Sequence, residues 1–504
     1  MSALSRRGFL AAAGLGATFA IAENKASGRA LGANDVVRVG VVGLNGRGQS
    51  HIELVSRTPG FRLAALCDVD PAVLGRSVER AQKNGKNVRV FKDVRDLIAS
   101  KEIDAITIAM PNHWHALAAI WACQAGKDVY VEKPVSHNVF EGRQLVNAAR
   151  KYGRMVQGGM QARSNPDLIE AVAWIRAGNL GKIKYVRGCC YKGRTPIGNT
   201  GTGKIPPGLD YDLWTGPAPL KSLRRQKFHY DWHWIYDYGN GDLGNQGVNE
   251  MQIVLWFLGY TSLSPRVVSV GGRLGYDDDG ETPNSQLVYH AYDGAPLIFE
   301  VRGLPKSKQY QADPKKWLTN MDTIDGFGGE RGVGLVVMCE GGKLIVIEGG
   351  ETVAALDPAG KIIHRFHKDD PQFGRGWTKG ERLHFRNWLE AIHTRDTAKL
   401  TAGILESHLS AALCHTGMIS HRVGQKMPAS RIRRELRSNR LLSERFEAFC
   451  EHLGRNGVDL EKTCATLGPW LAMDPKAERF LDNPAASALL TREYRKPFVV
   501  PAVE

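Results

Sequence analysis

The sequence predicts an α/β protein whose N-terminal region, residues 35–160, folds as a doubly wound parallel sheet. Three observations carry that expectation. Short apolar runs alternate with helical stretches from Val36 to Val131. A glycine-rich turn separates the first run from the first helical stretch, and an aspartate closes the second run. Alternating strands and helices make a parallel sheet whose ligands sit beyond the carboxyl ends of the strands. At 504 residues the chain is too long for one ordinary domain, so a second domain is expected over 161–504. Hydrophobic residues at 43% and charged residues at 24% describe a water-soluble globular chain and exclude a disordered, collagen-like or multispan membrane protein.

The first element is a leader. Ser5-Arg6-Arg7-Gly8-Phe9-Leu10 precedes an Ala/Gly-rich apolar stretch that ends in Ala20-Ile21-Ala22, a small-residue cleavage pattern. Residues 1–22 resemble a twin-arginine (Tat) signal, which implies export of an already folded protein to the periplasm or beyond by the Tat machinery, with no stable membrane insertion afterwards.

Val36 to Val42 reads as a buried strand, and Gly43-Leu44-Asn45-Gly46-Arg47-Gly48 follows it into a helix over about 49–57. A strand feeding a glycine turn and a helix N-terminus is a pyrophosphate site: glycines admit the phosphate to the backbone, and the helix dipole favours the anion. The turn departs from G-x-G-x-x-G because Asn45 stands at the middle glycine. Phe61 to Cys67 is the next strand, and Asp68 at its end, twenty residues after Gly48, suits the adenosine ribose hydroxyls and repels a 2′-phosphate, favouring NAD over NADP. Arg76 is expected to lie out along the following helix. A short strand at 88–91, a helix at 94–100, a strand at 103–109, a helix from about 116 to 125 and a strand at 128–131 complete the pattern. The residues at the strand ends, Pro111, Asn112, His113, Glu132, Lys133 and Pro134, are site candidates.

Beyond the first domain, 165–177 reads as a helix stopped by Gly178. Strands are expected at 267–270, 287–292, 297–302, 333–339 and 343–348, between turns rich in Gly, Asp and Pro. Residues 305–327 read as a polar loop, 384–392 and 403–423 as helices, 430–440 as a basic solvated or interface helix, and 443–477 as helical or irregular. The tail 497–501 should pack on the body. The net charge of +15 comes without a basic run interleaved with aromatics, so nucleic acid is not an expected partner. None of the eight cysteines forms a C-x-x-C pair, which favours buried free thiols.

Pro111-Asn112-His113-Trp114-His115, Glu132-Lys133-Pro134, Asp212-Leu213-Trp214-Thr215-Gly216-Pro217, Gly239 to Gly247 and Thr491-Arg492-Glu493-Tyr494-Arg495 together resemble the glucose–fructose oxidoreductase / inositol dehydrogenase (Gfo/Idh/MocA) family, in its exported branch. The resemblance spans almost all of the chain after the leader. It implies a Rossmann domain followed by an α/β domain with a large, mostly antiparallel sheet that often mediates homo-oligomers. It implies NAD as cofactor, held by Gly43, Asn45, Gly46, Arg47, Gly48, Asp68, Pro111, Asn112, His115, Glu132 and Lys133. It also implies hydride transfer at a hydroxyl-bearing carbon of a small carbohydrate, with Lys133 at the active site and no metal.

One departure limits the analogy. Where relatives carry a catalytic histidine, this chain has Asn249, with Asn245 upstream and Gln252 at the usual downstream aspartate. An amide cannot act as a general acid or base near neutral pH. His233 and Tyr236, in an aromatic stretch suited to stacking on sugar faces, are candidate stand-ins. An exported enzyme has no pool of free NAD, so a tightly held, recycled cofactor is expected. The alternatives are a redox-cycling NAD-dependent glycosidase and a catalytically degenerate NAD-containing glycan-binding protein.

Overall fold

A computed structural model describes residues 32, 35–199, 201, 203–366 and 376–504; the leader at 1–22 lies outside the described residues. The first sheet is built from β1 (Val37–Val42), β2 (Phe61–Cys67), β3 (Arg89–Phe91), β4 (Ala105–Ile108), β5 (Asp128–Glu132) and β6 (Val156–Gly159), in the order β3-β2-β1-β4-β5-β6, all parallel. Helices cover both faces, which is why β1, β4 and β5 read as nearly continuous apolar runs. The strand order reverses between β1 and β4, and that switch point opens the ligand crevice.

Short side chains start the helices locally. Asp70 accepts from the amides of Ala72 and Val73 to cap Pro71–Lys83, and Asp93 caps Val94–Ala99. Arg76 is exposed, as expected. The helix read as beginning near Ala116 begins at Asn112, with Pro111 ahead of its first turn, so the polar Asn112-His113-Trp114-His115 stretch is helical and buried rather than a loop. Helix Val139–Lys151, capped by Asn138, and strand β6 were not anticipated.

The second sheet has twelve strands: β7 (Ile183–Tyr191), β8 (Arg266–Gly272), β9 (Ser285–His290), β10 (Leu297–Arg302), β11 (Gly332–Cys339), β12 (Gly342–Ile347), β13 (Thr352–Leu356), β14 (Ile362–Arg365), β15 (Gln425–Met427), β16 (Ala465–Leu467), β17 (Leu471–Asp474) and β18 (Arg479–Phe480). Its main path runs β14-β13-β12-β11-β7-β10-β9-β8-β16-β15, and only the β7–β10 pair is parallel. The architecture is the α/β arrangement that the resemblance implied.

One face of this sheet packs on helices Gly247–Leu258 and Ile404–Arg422. The other is closed over β8–β10 by the chain's own helices Ala429–Leu436 and Arg440–Arg455, whose Phe446 and Phe449 meet Val268, Leu287 and Ile298. The basic run behaves as a solvated helix face: Ala429, Ile432 and Leu436 turn inward while Arg433 pairs with Glu447 outside. Two expectations need correction. The 443–477 segment contains β16 and β17, whose alternation is too short to register as strands. The 305–327 segment is not simply a loop, because Pro314–Thr319 is helical and the buried Trp317 donates its indole N–H to the Gly303 carbonyl at 3.0 Å. All eight cysteines are free.

The tail returns to the first domain. Phe498, Val500 and Val503 are buried, and the Phe498 ring lies 5.4 Å from that of Trp114. The Val503 amide donates to Gln144 Oε1 at 2.7 Å, and Arg495 donates to Asp212 Oδ1 at 2.6 Å and to the Gly216 carbonyl at 3.0 Å. Phe498→Ala should lower stability by about 3–5 kcal/mol, the usual cost of emptying a buried aromatic site, read as a shift in the denaturant midpoint.

Candidate functional site

A cleft of about 950 Å³ runs from the carboxyl ends of β1, β2, β4 and β5 to the second domain. Its phosphate end is the turn after β1. Gly43 has φ +77° there, and a Cβ on it would stand 2.7 Å from the Ala109 carbonyl oxygen. Gly43, Asn45, Gly46 and Arg47 line the cleft at the start of helix Arg47–Arg57, whose N-terminal dipole favours an anion. Gly48 does not line it. A Cβ at Gly48 would fall 1.9 Å from the Gly43 oxygen, so this glycine seats the helix against the turn.

Arg47 and Glu132 were expected as cofactor contacts, and both border the cleft, but they are first a strut. Glu132 accepts from Arg47 Nε at 2.7 Å, His51 Nε2 at 3.1 Å and Gln161 Nε2 at 3.1 Å, while Arg47 also pairs with Glu381. Burial alone would raise the Glu132 carboxyl; the Arg47 charge and the His51 bond outweigh it and hold the group well below the usual carboxylate range. The end of β5 is thereby tied to the phosphate turn. His115 does similar work, sitting between the carbonyls of Pro134 at 2.7 Å and Met110 at 2.6 Å. Its partner in sequence, His113, faces the carbonyls of Trp214 and Tyr238 as a packing residue.

At the adenosine end, Asp68 accepts the Leu44 amide at 2.7 Å and the Asp70 amide at 2.9 Å, which fix the carboxylate at the cleft. A strap from the second domain roofs this end. Lys227, Phe228 and His229 line the cleft beside Asp68 and Val69, and His229 Nε2 lies 2.9 Å from Asp70 Oδ2. Behind the strap, the buried Arg225 guanidinium lies 4.3 Å from the Trp214 ring centre and 4.5 Å from that of Phe228. Nothing in the local sequence around His229 signals this inter-domain contact.

The reactive end collects Lys133, Lys192, His233, Asn245, Asn249 and Glu250. Lys133 Nζ donates to the Asn245 carbonyl at 2.6 Å, with Asn245 Oδ1 at 3.4 Å, so Asn245 positions the lysine. Burial lowers the Lys133 ammonium to about 8, against the opposing pull of Glu132. The Lys133–Pro134 peptide bond is cis. Asn249 is buried, and its Oδ1 has no partner among the described residues.

The two stand-ins fare differently. His233 lines the cleft, stacks on Trp232 with ring centres 3.7 Å apart, and points Nδ1 at the Tyr230 carbonyl at 2.5 Å. Burial pushes it down to about 3, so it stays neutral and presents Nε2 as an acceptor. Tyr236 is not at the cleft: its hydroxyl faces Met418 Sδ at 3.7 Å, and Arg422 lies over its ring. Alternating residues of an irregular aromatic segment cannot be assigned to a face from sequence. Sequence reading missed Lys192, the strap and Glu250; for Glu250 the only available signal was an ionisable group next to Asn249.

The residues fit a dinucleotide: a turn in which Gly43 leaves no room for a Cβ, a helix N-terminus opening from it, and a carboxylate at the ribose end of an elongated cleft. These features define a protein of two sheets with an elongated dinucleotide-type cleft at the carboxyl ends of the parallel one. The model for the oxidoreductase family with an NAD-binding Rossmann fold matches residues 37–160, and the model for that family's C-terminal α/β domain matches 188–322, together just over half of the sequence. The chain belongs to this Gfo/Idh/MocA family, and its first domain is an NAD-binding Rossmann domain.

Inositol 2-dehydrogenase of Rubrobacter xylanophilus is 34% identical over 159 residues, 31% of this chain and 44% of that protein. A glycosyl hydrolase family 109 protein of Shewanella baltica is 38% identical over 122 residues, 23% of this chain and 27% of that protein. The aligned stretch thus spans about a quarter to under half the length of these relatives. Among solved structures, an oxidoreductase domain protein of Kribbella flavida superposes with a TM-score of 0.55 at 18% identity, over 76% of this chain and 96% of that one. Levoglucosan dehydrogenase in complex with NADH and levoglucosan gives 0.54 at 16%, over 76% and 96%. At these identities the structures show a shared fold. Among the described residues no helix is long and apolar enough to cross a membrane.

Proposed function

We propose that this protein is an exported oxidoreductase that acts on a hydroxyl-bearing carbon of a sugar, cyclitol or glycoside and keeps NAD bound between turnovers. The roofed cleft carries the reading. Lys133 sits at one end of it, and the strap Lys227–His229, pinned to Asp70, closes the other. When bound, NAD supplies a two-electron acceptor and donor. The backbone of Gly43 to Arg47, Asp68 and the Met110–Asn112 segment would hold it. Lys133 holds the substrate oxygen, and Trp232 and Tyr230 offer flat apolar faces to a sugar ring.

A second reading, redox-neutral cleavage of a glycoside, is favoured by the likeness to family 109 glycosyl hydrolases, which is confined to 122 residues. The twin-arginine leader supports export with the cofactor already inside. A homo-oligomer built on the second sheet would pack against the helices that cover β8–β10 rather than against bare strands there.

The test is the dinucleotide content of protein purified without added nucleotide, then denatured and chromatographed. Near-stoichiometric NAD or NADH is expected, and a Phe228→Ala/His229→Ala variant should be purified largely empty. Empty wild-type protein that fails to bind added NAD would overturn the reading.

A further inference from the structure

Among the ionisable groups of the cleft to which neither the sequence motifs nor the family pattern gives a role, Glu250 stands out by its burial. Glu250 lies in the first turn of helix Gly247–Leu258, is 2% exposed, and lines the cleft beside Lys133, Lys192 and Asn249. Its Oε1 accepts from Gln246 Nε2 at 3.3 Å, and Gln246 Oε1 in turn accepts from Lys192 Nζ at 3.4 Å. Its Oε2 is buried with no hydrogen-bond partner among the described residues. A carboxyl oxygen left unpaired in a buried site carries a desolvation penalty, so an atom of this kind marks a place that a bound group completes. Among the described residues no arginine pairs with it; the charges acting on it are Lys133 at the end of β5 and Lys192 just after β7, with the Cys190 and Cys414 thiols nearby.

We propose that Glu250 is the catalytic acid–base group of this site, doing the proton transfer that Asn249 beside it cannot do. The inference rests on the oxidoreductase reading above. In the oxidising direction the substrate O–H bond breaks, and its proton forms an O–H bond on the Glu250 carboxylate. The hydrogen of the adjacent C–H bond would leave with its electron pair, as hydride, to the oxidised nicotinamide dinucleotide as a C=O double bond forms. In the reducing direction the carboxyl returns that proton to the alkoxide. Lys133, held by Asn245, keeps the oxygen in place in both directions. Burial, which outweighs the attraction of the two lysines, raises the Glu250 carboxyl to about 8, so both protonation states are within reach near neutral pH.

Glu250→Gln keeps the shape and the Gln246 contact but removes the titrating proton. The test measures bound-NADH absorbance on adding free hexoses and cyclitols. Glu250→Gln should retain its NAD content and turn over at least a hundredfold more slowly. Adding Asn249→His to that variant should restore at least tenfold. Turnover of Glu250→Gln at the wild-type rate would overturn this inference while leaving the oxidoreductase reading intact. Wild type inert to the whole panel would count against that reading, and infrared spectroscopy of the nucleotide-free protein then decides on Glu250. A protonated-carboxyl band at neutral pH, lost in Glu250→Gln and shifted by added myo-inositol, supports the assignment. A missing band, or one that does not respond to the added polyol, overturns it.

Discussion

Lys133→Met should leave NAD in place and slow substrate oxidation by at least a hundredfold, within the roughly 10²–10⁴ range that a positioned proton-handling group contributes. The side chain is surrounded by features that make sense only if its Nζ is used. A half-buried lysine at the end of β5 is costly unless it is held, and Asn245 holds it with a carbonyl at 2.6 Å. Burial lowers its ammonium to about 8, so neutral amine accumulates as pH rises through that value. Oxidation of the alcohol needs an acceptor for the hydroxyl proton; Glu250 gains that capacity on the alkaline side, while Lys133 keeps the oxygen in place. The wild-type rate should therefore climb between about pH 7 and 9 and then level off, following the Glu250 value near 8. Single-turnover appearance of bound NADH is the measurement. A variant that oxidises substrate at the wild-type rate would remove Lys133 from the chemistry.

Gly48→Ala should cost the protein its cofactor. The new Cβ would lie 1.9 Å from the Gly43 carbonyl oxygen, a backbone atom with no side-chain freedom to yield. Either the helix backs away from the turn or the turn opens, and each moves the amides that face the phosphate. A destabilisation of about 3 kcal/mol follows from overpacking of this severity, together with at least a hundredfold loss of NAD affinity by calorimetry on stripped protein. Gly46→Ala is the informative contrast. Nothing lies within 4 Å of that Cβ, but φ +52° with ψ −106° lies outside the left-handed helical well in a region that glycine alone readily adopts, so the cost is a backbone one of about 1–3 kcal/mol.

The two positions mirror what could be read from the sequence. Strands Phe61–Cys67 and Leu297–Arg302 were legible residue for residue, because apolar runs bounded by turn residues record local burial. The phosphate turn and Asp68 were legible because their spacing is dictated by one strand–turn–helix unit. Helix Asn112–Gln124 was read four residues short, because a buried polar first turn looks like a loop. Tyr236 falls outside the cleft and Glu250 lines it for a common reason: which residues of neighbouring turns reach a cleft is decided by packing between domains. The strap is the extreme case, since His229 and Asp70 meet across 159 residues of chain.

The returning tail has a consequence for the order in which the protein is made. Trp214 and Leu213 form part of the cleft wall, and the segment that carries them is gripped through Asp212 and Gly216 by Arg495, 283 residues beyond Asp212, while Phe498 backs Trp114 beneath it. A growing chain cannot brace that wall until the segment around Arg495 and Phe498 has been made, long after the nucleotide turn at Gly43. The wall is therefore completed late, by a segment that lies beyond both sheets in the chain.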